Sequence, residues 1–371
     1  MQGLQKATAS RRARAALVAA KPRGLQCGLY GVPGVSQMKF GVFDHMDRGE
    51  HPIAVQYRQR LRLVGAYDEA GFYAYHLAEH HGTPLGVASA PSVFLSAVSQ
   101  HTSRLRFGPL VYTMSIYHPL RLLEEICMLD QLSEGRLELG IGRGISPIEM
   151  GFYGVGADAQ ERYAEVLDIV LKGLRDGHLE HEGRHYRFEN VPLELGPVQQ
   201  PHPPLWYGVA RPDTAAWAAG ERINIVTNGP ATAVRAITDE YRSAWREAPH
   251  AAAELPMLGM SRHVVIANTD AEAIAVAEPA YTRWFNSLLH LWRVHGKQIP
   301  LSFPEDLATA RAKGLALVGS LATVRAQLAD ELATSGVNYL LCRIAFGNLP
   351  LETSLATVTA MREEVLPAFV Q

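Results

Sequence analysis

From Lys39 onward, short apolar runs alternate with longer segments whose apolar positions recur three and four residues apart. That alternation predicts parallel strands joined by crossover helices. Strands are expected at about 39–44, 72–78, Leu105–Val111, Arg136–Ile141, Leu205–Ala210, Ile223–Thr227, 258–267 and Tyr339–Ala345. The intervening helices are expected at about 55–70, 91–101, from His118-Pro119 onward, 159–175, 213–220, 231–246, from about Asp270, 321–335 and 351–366. Gly71 stands where a left-handed residue would end the first helix. Eight strand–helix units predict an α/β fold, a single (β/α)8 TIM barrel. An open doubly wound sheet is the structural alternative, because local pattern does not fix closure. No GxGxxG follows the first strand, which weakens that alternative.

Two stretches break the rhythm. The first follows helix four, over residues 178–204. His185-Tyr186-Arg187-Phe188 and Val191-Pro192-Leu193 read there as the two halves of a small hairpin. The second, residues 285–318, precedes strand eight and follows Trp284. It carries Phe285, Leu288, Leu289, Leu291 and Trp292 beside Arg293, His295 and Lys297. This stretch reads as a packed helix with one wet face, or as a lid that keeps water from a reactive site.

Residues 1–37 differ from the rest. They hold six basic residues and no acidic one, and lack a periodic apolar face. They are expected to form a poorly ordered basic arm ahead of a barrel domain at 38–371, with Met38 as a functional start. Leu17-Val18-Ala19-Ala20 is too short for a secretory apolar core.

Composition narrows the function. The 371 residues suit one barrel with loop insertions; such barrels typically take about 250. Apolar residues make up 47%, charged residues 19%, and the formal net charge is −2. There is no basic surplus to draw nucleic acid or a membrane surface. Cys27, Cys127 and Cys342 are far apart and unpaired by motif, which points to a reducing, cytoplasmic setting rather than a disulfide frame or structural zinc.

Barrel active sites lie at the C-terminal strand ends. Polar residues gathered there are Glu79, His80 and His81; Tyr112 to Ser115; Arg143; Arg211, Asp213 and Thr214; and Arg343 with Phe346-Gly347-Asn348. Gly140, Gly142 and Gly144 remove side chains around Arg143, so a flat or phosphorylated ligand could approach the backbone while the arginine forks onto phosphate oxygens. Thr214 opens a helix and could add its hydroxyl and a helix-end amide. The other reading is a plain turn with Arg143 paired to an acid. Strand alternation lets only one of His80 and His81 enter the barrel. A metal set of His76, Glu79 and His80 is weakened because no matching Asp/His set recurs on later strands.

Taken together, Met38-Lys39-Phe40-Gly41, Glu79-His80-His81, His118-Pro119-Leu120-Arg121, the run Leu129 to Arg136, Gly140-Ile141-Gly142-Arg143-Gly144 and Glu363 to Pro367 occur in an order that resembles the luciferase-like flavin monooxygenases, close to the alkanal monooxygenase branch. The resemblance covers about residues 38–370. It implies a barrel that binds reduced FMN, reacts with O2 and places one oxygen atom in an organic substrate such as an aldehyde or ketone. It further implies His80 as the catalytic histidine, which can exchange a proton near neutral pH. Glu79 would lie beside the flavin, Leu110-Val111 would form a non-proline cis peptide under the ring, and Arg143 and Thr214 would hold the phosphate. Gly142 and Gly208 fall among the family's flavin contacts. A separate flavin reductase and a homodimer are implied as partners.

This sequence departs from that pattern. Gly142 replaces the luciferase cysteine, and Ala210-Arg211 replaces the usual acid–serine pair. Arg211 could serve the phosphate directly or shift the cofactor toward a deazaflavin. Strong light emission is not expected. The competing readings are a deazaflavin-dependent oxidoreductase of the same fold and a flavin-binding protein without catalysis.

Overall fold

The computed structural model describes residues 38–250, 253–299 and 303–369. The expectations for residues 1–37 fall outside the described residues.

The first half of the chain runs β1 (Lys39–Asp44), α1 (Ile53–Ala70), β2 (Ala74–Leu77), α2 (Pro91–His101), β3 (Arg106–Pro109), β4 (Tyr112–Thr113), α3 (Pro119–Leu132), β5 (Leu139–Gly142), α4 (Pro147–Phe152), α5 (Ala159–Asp176), β6 (His178–Glu182) and β7 (Arg187–Pro192). The second half runs β8 (Leu205–Gly208), α6 (Pro212–Gly220), β9 (Asn224–Thr227), α7 (Ala231–Glu247), β10 (Leu258–Ala267), α8 (Asp270–Val294), α9 (Leu307–Ala312), β11 (Ala316–Ser320), α10 (Leu321–Ser335), β12 (Tyr339–Arg343), α11 (Leu351–Ala360), a π-turn at Met361–Val365 and α12 (Leu366–Phe369). Gly71 caps α1 at φ 83°, in the left-handed region.

The strands form one parallel ring in the order β1, β2, β3, β5, β8, β9, β10, β12 and back to β1. Lys39 pairs with Tyr339 at the seam between first and last strands. On the opposite side a single bridge, Phe107 with Leu137, joins β3 to the approach of β5. There the Phe107 amide donates to the Arg136 carbonyl and the Glu138 amide to the Phe107 carbonyl, at 3.1 and 2.8 Å. The approach is close enough to require glycine: a Cβ on Gly108 would lie 1.7 Å from the Glu138 carbonyl oxygen. The open-sheet alternative is thereby excluded.

Side chains fill the ring rather than leaving a pore. At its base the buried Glu138 carboxylate accepts from Tyr73 Oη, Arg106 Nε and Trp206 Nε1. Above it, His76 Nε2 and Tyr339 Oη share a 3.0 Å hydrogen bond, and Leu110, Trp206, Val226 and Leu341 pack around them.

Three sequence-based boundaries need correction. The hairpin pairs β6 with β7, so both halves expected at 185–193 belong to one strand and its exit. Its partner, His178-Leu179-Glu180-His181-Glu182, is largely polar because it lies on the surface. Residues 285–294 are not an insertion but the end of α8, which buries Trp284, Phe285, Leu289, Leu291 and Trp292. Ala316–Ser320 is a strand that pairs with the upper half of β10. Among the described residues no helix is long and apolar enough to cross a membrane.

Candidate active site

β2 stops at Leu77, so the strand alternation used to separate His80 from His81 no longer applies where they stand. Their partners separate them instead. Glu79 is wholly buried and saturated: its carboxylate accepts the Thr113 amide at 2.8 Å, His81 Nε2 at 2.8 Å and Tyr117 Oη at 2.9 Å. Burial, and then the Glu79 charge beside it, hold the Tyr117 phenol protonated. His81 reaches Tyr153 Oη through Nδ1 at 2.8 Å. These residues line a cavity of about 440 Å³ bordered by α2 and α3.

His80 turns another way. Its Nδ1 lies 3.2 Å from Glu149, whose other oxygen accepts the His81 amide at 2.8 Å. Glu149 stands in the first turn of α4, positioned by Pro147 and by Ser146, whose Oγ accepts the Glu149 amide. Burial pushes this carboxyl up, but the hydrogen bond and charge of His80 outweigh that and hold it below the usual carboxylate range. An ionised carboxylate only accepts, so it fixes the proton on His80 Nδ1 and leaves Nε2 as the exchanging atom of the neutral ring. The His80 ring stacks on His45 with centroids 5.8 Å apart. His45 in turn accepts a hydrogen bond from Trp284 Nε1 on α8. Burial, with Arg343 and His80 nearby, lowers the His45 pKa well below its ordinary value.

Sequence reasoning missed Glu149 and His45. Ser146-Pro147-Ile148-Glu149 is a capping-box pattern and could have located α4, though not the direction of the carboxylate. His76, Glu79 and His80, weighed as a metal set, point to Tyr339, to Thr113 with His81 and Tyr117, and to Glu149, so they do not converge.

The candidate cofactor residues lie on consecutive strand ends. The peptide Leu110-Val111 is cis, between β3 and β4. β4 pairs with β5, which brings Thr113 beside Gly142 and Arg143 next in line. β5 pairs with β8, which ends at Gly208. Arg143 is exposed and has no carboxylate partner among the described residues; its Nε donates to the Gly144 carbonyl, and its backbone carbonyl accepts from Ser115 Oγ. A Cβ on Gly208 would meet open space. Two of the glycines around Arg143 have a packing reason of their own. A Cβ on Gly140 would strike the Pro109 carbonyl, and one on Gly142 would strike Val111, so β3 and its continuation take up that space. Arg211 pairs with Asp213 at 2.8 Å, and Asp213 also accepts the Thr214 amide. The site therefore contains an unpaired cation, Arg143, beside a self-neutralised helix start.

A family profile described as luciferase-like monooxygenase matches residues 38–339. Among relatives, an uncharacterized protein y4wF of Sinorhizobium fredii is 46% identical over 332 residues, 89% of this chain and 97% of that one. The oxygenase component of a flavin-dependent trigonelline monooxygenase of Acinetobacter baylyi is 26% identical over 65% of this chain and 68% of its own length. Among solved structures, monooxygenase RslO1 of Streptomyces bottropensis superposes with TM-score 0.79 at 26% identity, covering 89% and 99% of the two chains. The oxygenating constituent of 3,6-diketocamphane monooxygenase of Pseudomonas putida, solved with FMN, gives 0.76 at 20% identity over 90% and 99%. A tetrahydromethanopterin reductase of Methanopyrus kandleri shares the fold with TM-score 0.66, at 18% identity over 90% and 100%.

Proposed function

The chain belongs to the luciferase-like monooxygenase family, and from that premise we propose that it is the oxygenase half of a two-component flavin system, using reduced FMN and O2 to oxygenate a small organic molecule. The observation that carries this reading is the His80–Glu149 pair at the barrel mouth, two strands round the ring from an exposed arginine without an acid partner among the described residues. A dianionic phosphate fits Arg143, whose guanidinium is otherwise uncompensated, with open backbone at Gly208 and the Thr214 hydroxyl within the same rim. Binding there would compete with Asp213 for Arg211 and for the Thr214 amide. Leu110 and Val111 would offer an apolar support for the ring, with Gly142 and Glu79 behind them.

Bound reduced FMN would supply the electron pair that activates O2, one oxygen going to product and the other to water. The chain's own residues set the conditions. Glu149 orients His80 through Nδ1 and leaves Nε2 free to hold and return one proton during turnover. His45 backs that ring and, itself held neutral by burial, adds no competing acid. Trp284 closes the far side and excludes water. No nicotinamide fingerprint is present, which supports a separate flavin reductase, as the naming of the Acinetobacter relative as an oxygenase component also does. Exposed Val93 on α2 and Met128 on α3, at the rim of the Glu79–His81 cavity, support a homodimer formed with a second copy of this face.

The test uses the purified chain with photoreduced FMN, a supplied flavin reductase, ¹⁸O-labelled O2 and a panel of aldehydes and ketones, with light scattering on the same preparation. Expected are saturable FMN binding, one labelled oxygen per product and, for His80→Ala, roughly 10²-fold or greater loss of turnover at unchanged FMN affinity. Tight deazaflavin binding without label incorporation would replace this reading with the deazaflavin-dependent one. Flavin binding without turnover on any substrate would favour a binding protein.

A further inference from the structure

Arg343 ends the last barrel strand and is 4% exposed. A charge so buried ordinarily faces a carboxylate, because an uncompensated cation in a dry site is costly. Here none faces it among the described residues. The guanidinium lies over the rings of Phe43 and Trp284, at 5.2 and 5.7 Å to their centroids. Its Nη2 donates to the neutral Asn228 Oδ1 at 3.3 Å, and its buried Nε has no partner among the described residues. Burial, and then the charge of Arg262, lower its pKa to about 9. Two imidazoles that feel its charge, His45 and His263, are both buried and held neutral, first by burial and then by this same arginine. His263 Nε2 is likewise unpartnered.

The cluster joins the candidate site. His45 touches Phe43 at 4.8 Å, Trp284 at 6.1 Å and His80 at 5.8 Å between ring centroids, so one imidazole separates the His80 ring from the aromatic pair around Arg343. Asn228 is exposed and forms the outer rim.

We propose that Arg343 is the specificity-determining residue of a substrate pocket formed with Asn228, Phe43 and Trp284, and that the substrate carries a carboxylate or equivalent oxyanion on an apolar body. The inference rests on the monooxygenase reading only for calling the ligand a substrate. The anion would take the unused Nε and a neighbouring guanidinium N–H in a forked contact, as carboxylates do with arginine. Phe43 and Trp284 would cover its apolar part. The acid-free lining disfavours cations.

Benzoate and its neutral isostere benzamide are the probes, titrated into the full chain while tryptophan fluorescence, to which Trp284 contributes, and the unfolding temperature are followed. Benzoate is expected to give a saturable fluorescence change and to raise the unfolding temperature, with benzamide at least tenfold weaker. Arg343→Met should abolish the benzoate response, Arg343→Lys should retain it more weakly, and FMN affinity should not change in either. Arg343→Met alone should unfold at a higher temperature than the parent, because it removes an unpaired buried charge. A structural clamp would show the opposite. If Arg343→Met does not fold, Asn228→Ala replaces it, with a weakened benzoate response expected. Equal responses to benzoate and benzamide, an unaltered response in the variants, or loss of FMN affinity in Arg343→Met would each overturn the proposal. Benzoate binding without FMN binding would instead sink the flavin reading and leave the anion pocket standing.

Discussion

Glu149 acts through its position rather than its own chemistry. It holds one nitrogen of His80 and the amide of His81 at once, so it fixes both the ring and the loop that carries it. Glu149→Gln keeps the shape but can donate where the carboxylate only accepts, so it no longer fixes the proton on His80 Nδ1. We expect oxygenation to slow by about 10- to 100-fold, with little change in FMN affinity. Glu149→Asp, which retains the charge, should recover part of the rate. A Glu149→Asp rate no better than that of Glu149→Gln would reduce Glu149 to a packing residue. At this scale the sequence was only half legible. His80 and Arg143 could be singled out because they sit at strand ends beside glycines and a second histidine. Glu149 and His45 could not, since a lone acid in a six-residue helix and a lone histidine after a strand look like surface residues until the fold aims them. Arg343 was visible as a strand-end cation, but its lack of an acid partner is a property of three dimensions.

At the level of elements, the ring depends on how closely β3 and the approach to β5 meet. Gly108→Ala forces a methyl group into a backbone carbonyl, which no rotamer change relieves. It should destabilise the barrel by roughly 3 kcal/mol or more, read as a shifted urea midpoint. Gly208→Ala, whose Cβ meets nothing, should leave the midpoint within about 0.5 kcal/mol. Most strands and helices were readable because parallel barrel strands are buried on both faces and appear as continuous apolar runs, as in Leu340-Leu341-Cys342. The errors cluster where that contrast disappears. β6 is polar because it is a surface hairpin strand. α4 is too short to show a period. β11 holds only a three-residue apolar run, Ala316-Leu317-Val318, too short to stand out, and α8 continues through Pro279 where a proline usually marks a break.

At the scale of the molecule, β1 and β12 meet at a seam, and Asp47 clasps it by accepting the Gly347 amide from the far side. Burial raises the Asp47 pKa to about 7, while the charge of Arg60 and the Gly347 amide work against that rise. Between an ordinary value near 3.8 and about 7, the folded chain keeps a proton that the unfolded chain has lost. The clasp's contribution is therefore complete below the ordinary value and declines as pH climbs through about 7. Melting curves of the parent and Asp47→Asn from pH 4 to 8 should show the parent losing ground to the variant as pH rises, by at most about 1.4 kcal/mol per pH unit. A constant difference would mean that Asp47 is ionised throughout. The seam also bears on how the protein is made. Because Lys39 must wait for Tyr339, the ring cannot close until β12 has left the ribosome, and the free edges of β1 and β10 stay open until then. During synthesis, then, the vulnerable state of this protein is an unclosed sheet with β1 still unpaired on one side, and it is there that chaperones would have most to protect.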